Sequence, residues 1–368
     1  MKKGFLITGL ALVCMLFLGL TAVRAEDAAK PDPVDAIKQA LGLSVYLQGG
    51  YMFNFRDPKS GENDLRVFDH KSNSFTLDLA ELRFLKTAPA GGVGFKVKLS
   101  AGETAKSIHA NGLGAADQPF DLTEAYVDYV APIGSGLTLQ FGKFVTFTGE
   151  EVIEASGNYN YSRSFLFNYA IPFTHTGLLA GYAFSNAVSA NVYVLNGWDN
   201  EADNNNGKTF GTSITLAPAG NITTVWNILY GPEENNNDSD NRFLFDWVGT
   251  ITPVKNLTLV VNTDYANEKN GAGPGVDSKW YGAAVYANYV FTGKISGTVR
   301  AEEFKDPQGV RTGTVQNLKE VTLTAQYTLA KNLLLRPEYR HDWSNVDAFN
   351  GGANEDQDTL AMGVMYTW

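Results

Sequence analysis

From Gly42 to Trp368 the chain keeps one hydrophobic period, and that period is two. Val45, Leu47, Tyr51 and Phe53 alternate with Ser44, Gln48 and Asn54. Far downstream, Val321, Leu323, Ala325, Tyr327 and Leu329 alternate with Glu320, Thr322, Thr324 and Gln326. Successive side chains of a strand point to opposite faces, so such runs read as strands with one apolar face. Sixteen runs can be counted, from 42–54 to 357–368, with the third, fifth and sixth at 93–104, 136–147 and 171–184. Their connections alternate in length. Segments 56–72, 105–118, 199–207 and 344–356 are long and polar, whereas 89–92, 132–135, 218–220 and 330–331 are short and carry turn residues.

An even strand count with short turns at one end and long loops at the other predicts an all-β fold. The expectation is a transmembrane antiparallel β-barrel of sixteen strands, with short periplasmic turns and long extracellular loops. Each run can cross a bilayer as a tilted strand of about 9–11 residues. Hydrocarbon offers no partner to an unpaired N–H, so the sheet has to close. A soluble β-sandwich would alternate too. Against it stand the small and charged residues on the polar face of nearly every run, and loop alternation along the whole chain. The last run is an amphipathic strand ending at Trp368, the form of end that barrel-assembly machinery recognises.

Composition fits one barrel. The 368 residues carry 29 basic and 39 acidic groups, a net charge of −10, which argues against nucleic acid as a partner. Lys2 and Lys3 precede an apolar run, Gly4 to Leu20, followed by Val23-Arg24-Ala25, so residues 1–25 read as a secretory signal peptide. Ala11-Leu12-Val13 before Cys14 lacks the small residues that lipid attachment prefers. Removal of Lys2, Lys3 and Arg24 would leave 26 basic groups, a net of −13, and no cysteine. Residues 26–41 read as a polar periplasmic segment with a short helix over Val34–Leu41, and 42–368 as the barrel. Outer-membrane lipids would cover its apolar face, and the location is the cell outer membrane of a Gram-negative bacterium.

If the apolar parity faces lipid, the other parity faces a lumen, and sixteen strands leave an aqueous channel. The expected pore-lining charges are Asp78, Glu81 and Arg83, then Lys96 and Lys98, then Glu124 and Asp128. Arg300 and Glu302 follow, and Arg336, Glu338, Arg340 and Asp342 share one face of the fifteenth run. Cations set between carboxylates on neighbouring strands can pair across the wall, or act together as a transverse field on polar solutes. The apolar parity slips from Phe75, Leu77 and Leu79 to Leu82 and Phe84, which predicts a bulge near Ala80. Pro337 sits mid-strand and predicts another bulge, while the facing of Lys143 is left open. Trp198, Trp280 and Trp343 fall at loop ends of their strands and Trp368 at the opposite end, as an interfacial girdle would place them, although strands favour aromatics anyway.

The longest connection, 149–170, carries Glu150, Glu151, Glu154 and Arg163 with the aromatics Tyr159, Tyr161, Phe165 and Phe167. So many exposed aromatics would be costly, so the loop should pack. Folding into the lumen as a constriction is the favoured reading; a subunit interface or the rim is the other.

The order of several short motifs resembles the β-barrel porin-2 family, also called OmpL-like. They are Gly142-Lys143-Phe144, Glu150-Glu151-Val152-Ile153-Glu154, Tyr161-Ser162-Arg163-Ser164, Ile171-Pro172-Phe173-Thr174-His175-Thr176-Gly177 and Asn196-Gly197-Trp198-Asp199. Glu124-Ala125-Tyr126 and Arg336 to Trp343 resemble it as well. The resemblance implies an outer-membrane porin without supplying a substrate. The architecture also resembles general diffusion porins, which implies a homotrimer by analogy alone.

Other chemistry finds little support. His70, His109, His175 and His341 show no metal-ligand spacing, and a mature chain without Cys has no thiolate site, so no cofactor, metal or enzymatic activity is expected. The acidic loops 199–206 and 233–241 lack the ordered ligand spacing of an EF-hand and read as solvated. Two function classes remain. One is a porin for passive diffusion of small hydrophilic solutes and ions, with a lean towards cations. The other is a plugged or structural barrel acting as a surface receptor or adhesin through its long loops. Residues 26–41 are too few to plug a barrel, which favours the channel.

Overall fold

A computed structural model describes Lys38 and residues 41–368. The signal peptide, and the helix expected over Val34–Leu41 apart from Lys38 and Leu41, lie outside the described residues. The sixteen strands are β1 (Leu43–Asn54), β2 (Ser74–Lys86), β3 (Val93–Ala101), β4 (Phe120–Ala131), β5 (Leu137–Val145), β6 (Thr174–Ser185), β7 (Val188–Leu195) and β8 (Thr209–Ala219). They continue as β9 (Ile222–Pro232), β10 (Asn241–Val254), β11 (Leu257–Glu268), β12 (Ser278–Thr292), β13 (Ile295–Asp306), β14 (Gln316–Ala330), β15 (Leu333–Ser344) and β16 (Asp356–Thr367). Each pairs with its neighbour in sequence, and β1 meets β16 to close the barrel. The closing seam is antiparallel from Tyr46↔Thr367 to Asn54↔Thr359. Trp368 completes it: its N–H donates to Val45 O at 2.8 Å, and Val45 N–H donates to Trp368 O at 2.9 Å.

The period-two pattern has its expected outcome. Phe75, Phe141, Phe184, Phe210 and Phe291 stand exposed on the outer face, where hydrocarbon would replace water. The inward parity holds the polar and charged side chains, many fully buried. Most register shifts, such as those at Ile251/Val254, Val290/Thr292 and Thr328/Ala330, cluster beside the short turns.

Four local expectations need correction or refinement. Near Ala80 the parity does reverse, with Phe75 and Leu77 exposed but Glu81 and Arg83 turned inward. Pairing with β3 begins only at Ala80↔Ala101, because Gly102, at φ +119, brings the chain hard against Asp78. The third run ends at Ala101 rather than 104, and Glu103–Ser107 forms a short helix, α1, instead of strand or loop. The sixth begins at Thr174, since Ile171–Phe173 belong to the preceding connection. Finally, Pro337 makes no bulge. It pairs in continuous register with Met362, and the β14–β15 register is the same on both sides of it. Only Ala325, opposite it on β14, and Gln326, opposite Arg336, drop from the ladder, which accommodates the missing N–H. Arg336 and Arg340 therefore keep one facing.

Candidate functional site

The site is the interior of the barrel and the connection between β5 and β6, residues 146–173. This segment contains a 3-10 turn, Ala155–Gly157, and a π turn, Leu166–Ala170. Tyr161, Arg163, Phe165, Leu166 and Phe167 are all at most 3% exposed, so the connection is packed and not a surface loop. Phe68, from the loop after β1, covers it through Phe167 and Phe173, with ring centroids at 5.5 and 5.3 Å.

The segment enters beside the neutral wall. Phe147 stacks on Tyr193 of β7 at 3.9 Å between centroids. From Gly149 its polar anchors reach the charged wall. Gly149 N–H donates to Asp246 at 3.0 Å and Glu150 N–H to Asn262 at 3.3 Å, on β10 and β11. Glu151 pairs with Arg300 of β13 at 2.7 Å and accepts from Tyr286 of β12 at 3.2 Å. Glu154 then reaches Lys98 of β3 at 2.6 Å and Arg83 of β2 at 3.1 Å. Ala155 N–H donates to Gln48 of β1 at 3.0 Å.

Two carboxylates each hold two consecutive backbone amides. Glu338 accepts from Tyr161 N–H at 2.6 Å and Ser162 N–H at 3.0 Å. Glu302 accepts from Phe165 N–H at 2.6 Å and Leu166 N–H at 2.5 Å. Guanidiniums take the carbonyls: Arg336 donates to Asn160 O at 2.9 Å and also to Ala155 O, Arg300 to Ser162 O at 2.9 Å, and Arg340 to Arg163 O at 2.6 Å. An irregular backbone buried inside a barrel needs partners for its N–H and C=O groups, and the wall charges supply them.

Glycines shape the seat. Gly50 and Gly363 face each other across the β1–β16 seam. Tyr161 lies over both: a Cβ would fall 2.4 Å from its hydroxyl at Gly50 and 2.4 Å from its ring at Gly363. The same hydroxyl donates to Asp78. On the opposite wall, Gly282 makes room for Leu166. Sequence reading missed these glycines, although their inward parity was a usable signal.

The expected pore-lining residues thus divide. Asp78, Arg300, Glu302, Arg336, Glu338 and Arg340 are buried against the segment or its neighbours. Lys98 and Glu81 are buried as well, at the edge of the Glu154 contact. Lys96 and Lys98 pair with Glu124 at 2.6 and 2.8 Å across the β3–β4 ladder. Arg83 and Lys96 stay partly exposed, as does Asp128. Lys143 is inside and buried: after Gly142, at φ +138, its ammonium donates to Leu122 O and Thr123 O at 2.9 and 3.1 Å. Of the segment residues expected at the constriction, Glu150, Glu154 and Tyr159 keep partial exposure. Burial, then the charges of Glu151 and Asp246, push the Glu150 carboxyl up to about 7. Burial also raises Glu154, but Lys98 and Arg83 outweigh it and hold that carboxyl at about 2.

The opposite wall differs. Strands β6 to β9 contain no Lys, Arg, Asp or Glu. Their inward parity carries Asn191, Ser213, Thr215 and Asn227, of which Asn191 and Thr215 stay partly exposed. Two of the tryptophans assigned to a girdle also turn out otherwise. Trp280 is fully buried and Trp198 nearly so, both packed inward at the long-loop end, because two arginines cover them. Trp343 remains partly exposed and stacks on His341 at 5.2 Å. Among the described residues, no group of three or more His, Cys, Asp or Glu side chains is placed to hold a metal ion.

Comparison with known proteins supports the same architecture. No curated protein matches this sequence. Among solved structures, the anion-selective porin from Comamonas acidovorans superposes with a TM-score of 0.62 at 10% identity, over 89% of this chain and 98% of that one. Salmonella typhi OmpF, in a complex with daunomycin, gives 0.63 at 12% identity, over 89% and 97%. The outer membrane channel DcaP of Acinetobacter baumannii gives 0.60 at 10% identity, over 89% and 96%. Such distant likenesses establish the fold. The family model described as "Putative beta-barrel porin-2, OmpL-like" matches residues 40–368, and the chain belongs to that family of porins.

Proposed function

We propose that this porin is a constricted, water-filled channel in the outer membrane of a Gram-negative bacterium, passing small hydrophilic solutes and ions by passive diffusion. The observation that carries the reading is the one-sided anchoring of residues 149–170: polar and charged groups of β1–β3 and β10–β15 hold them, while Asn191 and Thr215 on the neutral wall keep exposure. The passage runs along that neutral wall, bordered by Arg83, Lys96, Asp128, Glu150, Glu154 and Tyr159. Amides and hydroxyls there suit polar uncharged solutes. Arg83 and Lys96 against Asp128, Glu150 and Glu154 leave this border neutral with Glu150 protonated and at −1 with it ionised, so ion selectivity is modest and leans to cations when Glu150 is ionised. The C-terminal strand ending at Trp368 is the contact for barrel-assembly machinery, lipids cover the outer face, and the assembled form is a homotrimer. Recording from planar bilayers tests the reading: stepwise conductance that excludes larger sugars supports it, and correctly folded protein that conducts nothing refutes it. Reversal potentials in a salt gradient measure selectivity, and crosslinking in detergent measures the trimer.

A further inference from the structure

Two arginines share one pair of tryptophans at the long-loop end of the barrel. Trp198 and Trp280 meet edge to face, with centroids 6.1 Å apart. Arg242 stands 4.8 and 5.5 Å from the two ring centres, and Arg311 stands 5.2 and 5.1 Å from the same two. Aromatic faces attract each cation, but they also bring two like charges together. Arg242 is paired with Glu268, whose oxygens lie 2.8 and 2.9 Å from a single guanidinium nitrogen, Nη2. Its Nε is buried without a partner.

Arg311 has no ion pair among the described residues. Its side chain makes one hydrogen bond, from Nε to Tyr169 O at 2.7 Å, which leaves both Nη groups without a protein acceptor. Asp199, Glu268 and Asp306 attract it from beyond ion-pair distance, and each is held by other partners. Asp306 accepts from the backbone N–H groups of Val310, Arg311 and Thr312 at 3.0, 2.8 and 2.8 Å. Asp199 accepts from Phe173 and Thr174 N–H at 2.7 and 2.9 Å. Glu233 accepts from Trp198 N–H and the Thr209 hydroxyl, both at 2.6 Å, and burial pushes its carboxyl up to about 7, so it is only partly ionised at neutral pH.

A half-buried guanidinium with no carboxylate at ion-pair distance, beside a second cation, is an arrangement that an outside anion would complete. The free Nη edge has the two-donor geometry that carboxylates and phosphates accept. We infer that Arg311, with Arg242 beside it, forms a binding site for an oxyanion group, a carboxylate or a phosphate, carried by a small solute entering from the long-loop end. The site does not require that the barrel conduct. Because Arg311 also holds Tyr169 and Trp280 donates to Ala170 O at 3.0 Å, an anion bound there touches the far end of the inserted segment.

Isothermal titration of the folded, detergent-solubilised protein with benzoate, inorganic phosphate and neutral benzamide at pH 7.5 tests this. Saturable binding of benzoate or phosphate but not benzamide is expected, and the stronger of the two anions names the source chemistry. Arg311→Gln should weaken it at least tenfold, Arg311→Lys less. Glu268→Gln frees Arg242 and should tighten it several-fold. Absence of anion binding by the parent protein overturns the site, as does equal binding by Arg311→Gln. If Arg311→Gln does not fold, unchanged or weaker binding by Glu268→Gln overturns it instead.

Discussion

The two halves of the barrel wall are built from the same strand geometry but opposite chemistry. Strands β13 to β15 carry Arg300, Glu302, Glu320, Arg336, Glu338, Arg340 and Asp342 on the inward parity, all buried. Strands β6 to β9 carry no charge at all. Inside a water-filled barrel one would expect charges to stay wet. Here the charged wall is the dry one, because an irregular segment lies on it and uses its carboxylates and guanidiniums as backbone partners. The lesson is that lumen charge in this protein holds structure first, which is why we place the passage along the neutral wall.

Breaking the grip should have the largest effect. Arg300→Met leaves Glu151 and Glu320 facing each other without their shared cation. Loss of one partner from a buried pair costs about 3–5 kcal/mol. The folded band in heat-modifiability gels should disappear at a markedly lower temperature, and conductance should rise as the segment detaches. Next comes the glycine seat. Gly50→Val or Gly363→Val drives a side chain into Tyr161, and overpacking of this kind costs about 1–3 kcal/mol. Adding Tyr161→Ala should recover part of the loss, a coupling that a double-mutant cycle reads directly.

A smaller effect involves Glu150. Its carboxyl, raised to about 7 in the folded protein, binds a proton more tightly than in the unfolded chain. That contribution to stability is therefore complete below about pH 4.5 and lost as pH rises through about 7. Over the same rise a negative charge appears beside the passage, so cation preference in reversal-potential measurements should increase, and Glu150→Gln should flatten the change. Smallest in stability is Asn191→Asp on the neutral wall, within about 0.5 kcal/mol by thermal unfolding. It should nevertheless shift selectivity towards cations, whereas a charge change under the segment should act mainly on stability.

The wall was largely legible from sequence because a strand's period is two. Arg300, Glu302, Arg336, Glu338 and Arg340 were assigned inward by parity alone, and inward they lie. Parity cannot say what covers an inward residue. That Glu338 holds the amides of Tyr161 and Ser162 depends on residues 177 and 176 positions apart, a distance that no local pattern encodes. Pro337 misled because the rule for proline counts a lost N–H, whereas here the neighbouring ladder simply skips two positions. Trp198 and Trp280 sat where girdle residues sit, but Arg242 and Arg311 come from other loops and strands and draw the rings inward.

The central claim is that the passage follows the neutral wall and that the charged wall is covered. Cys14 is the single cysteine in the sequence and precedes the barrel, so thiols can be introduced one at a time. Asn191→Cys places one on the partly exposed wall, and Thr322→Cys places one beneath the segment, where Arg300 reaches Thr322 at 3.3 Å. A charged methanethiosulfonate reagent is then added during bilayer recording. The account predicts that current through Asn191→Cys changes in steps while Thr322→Cys does not respond. Modification of Thr322→Cys as fast as Asn191→Cys would contradict it.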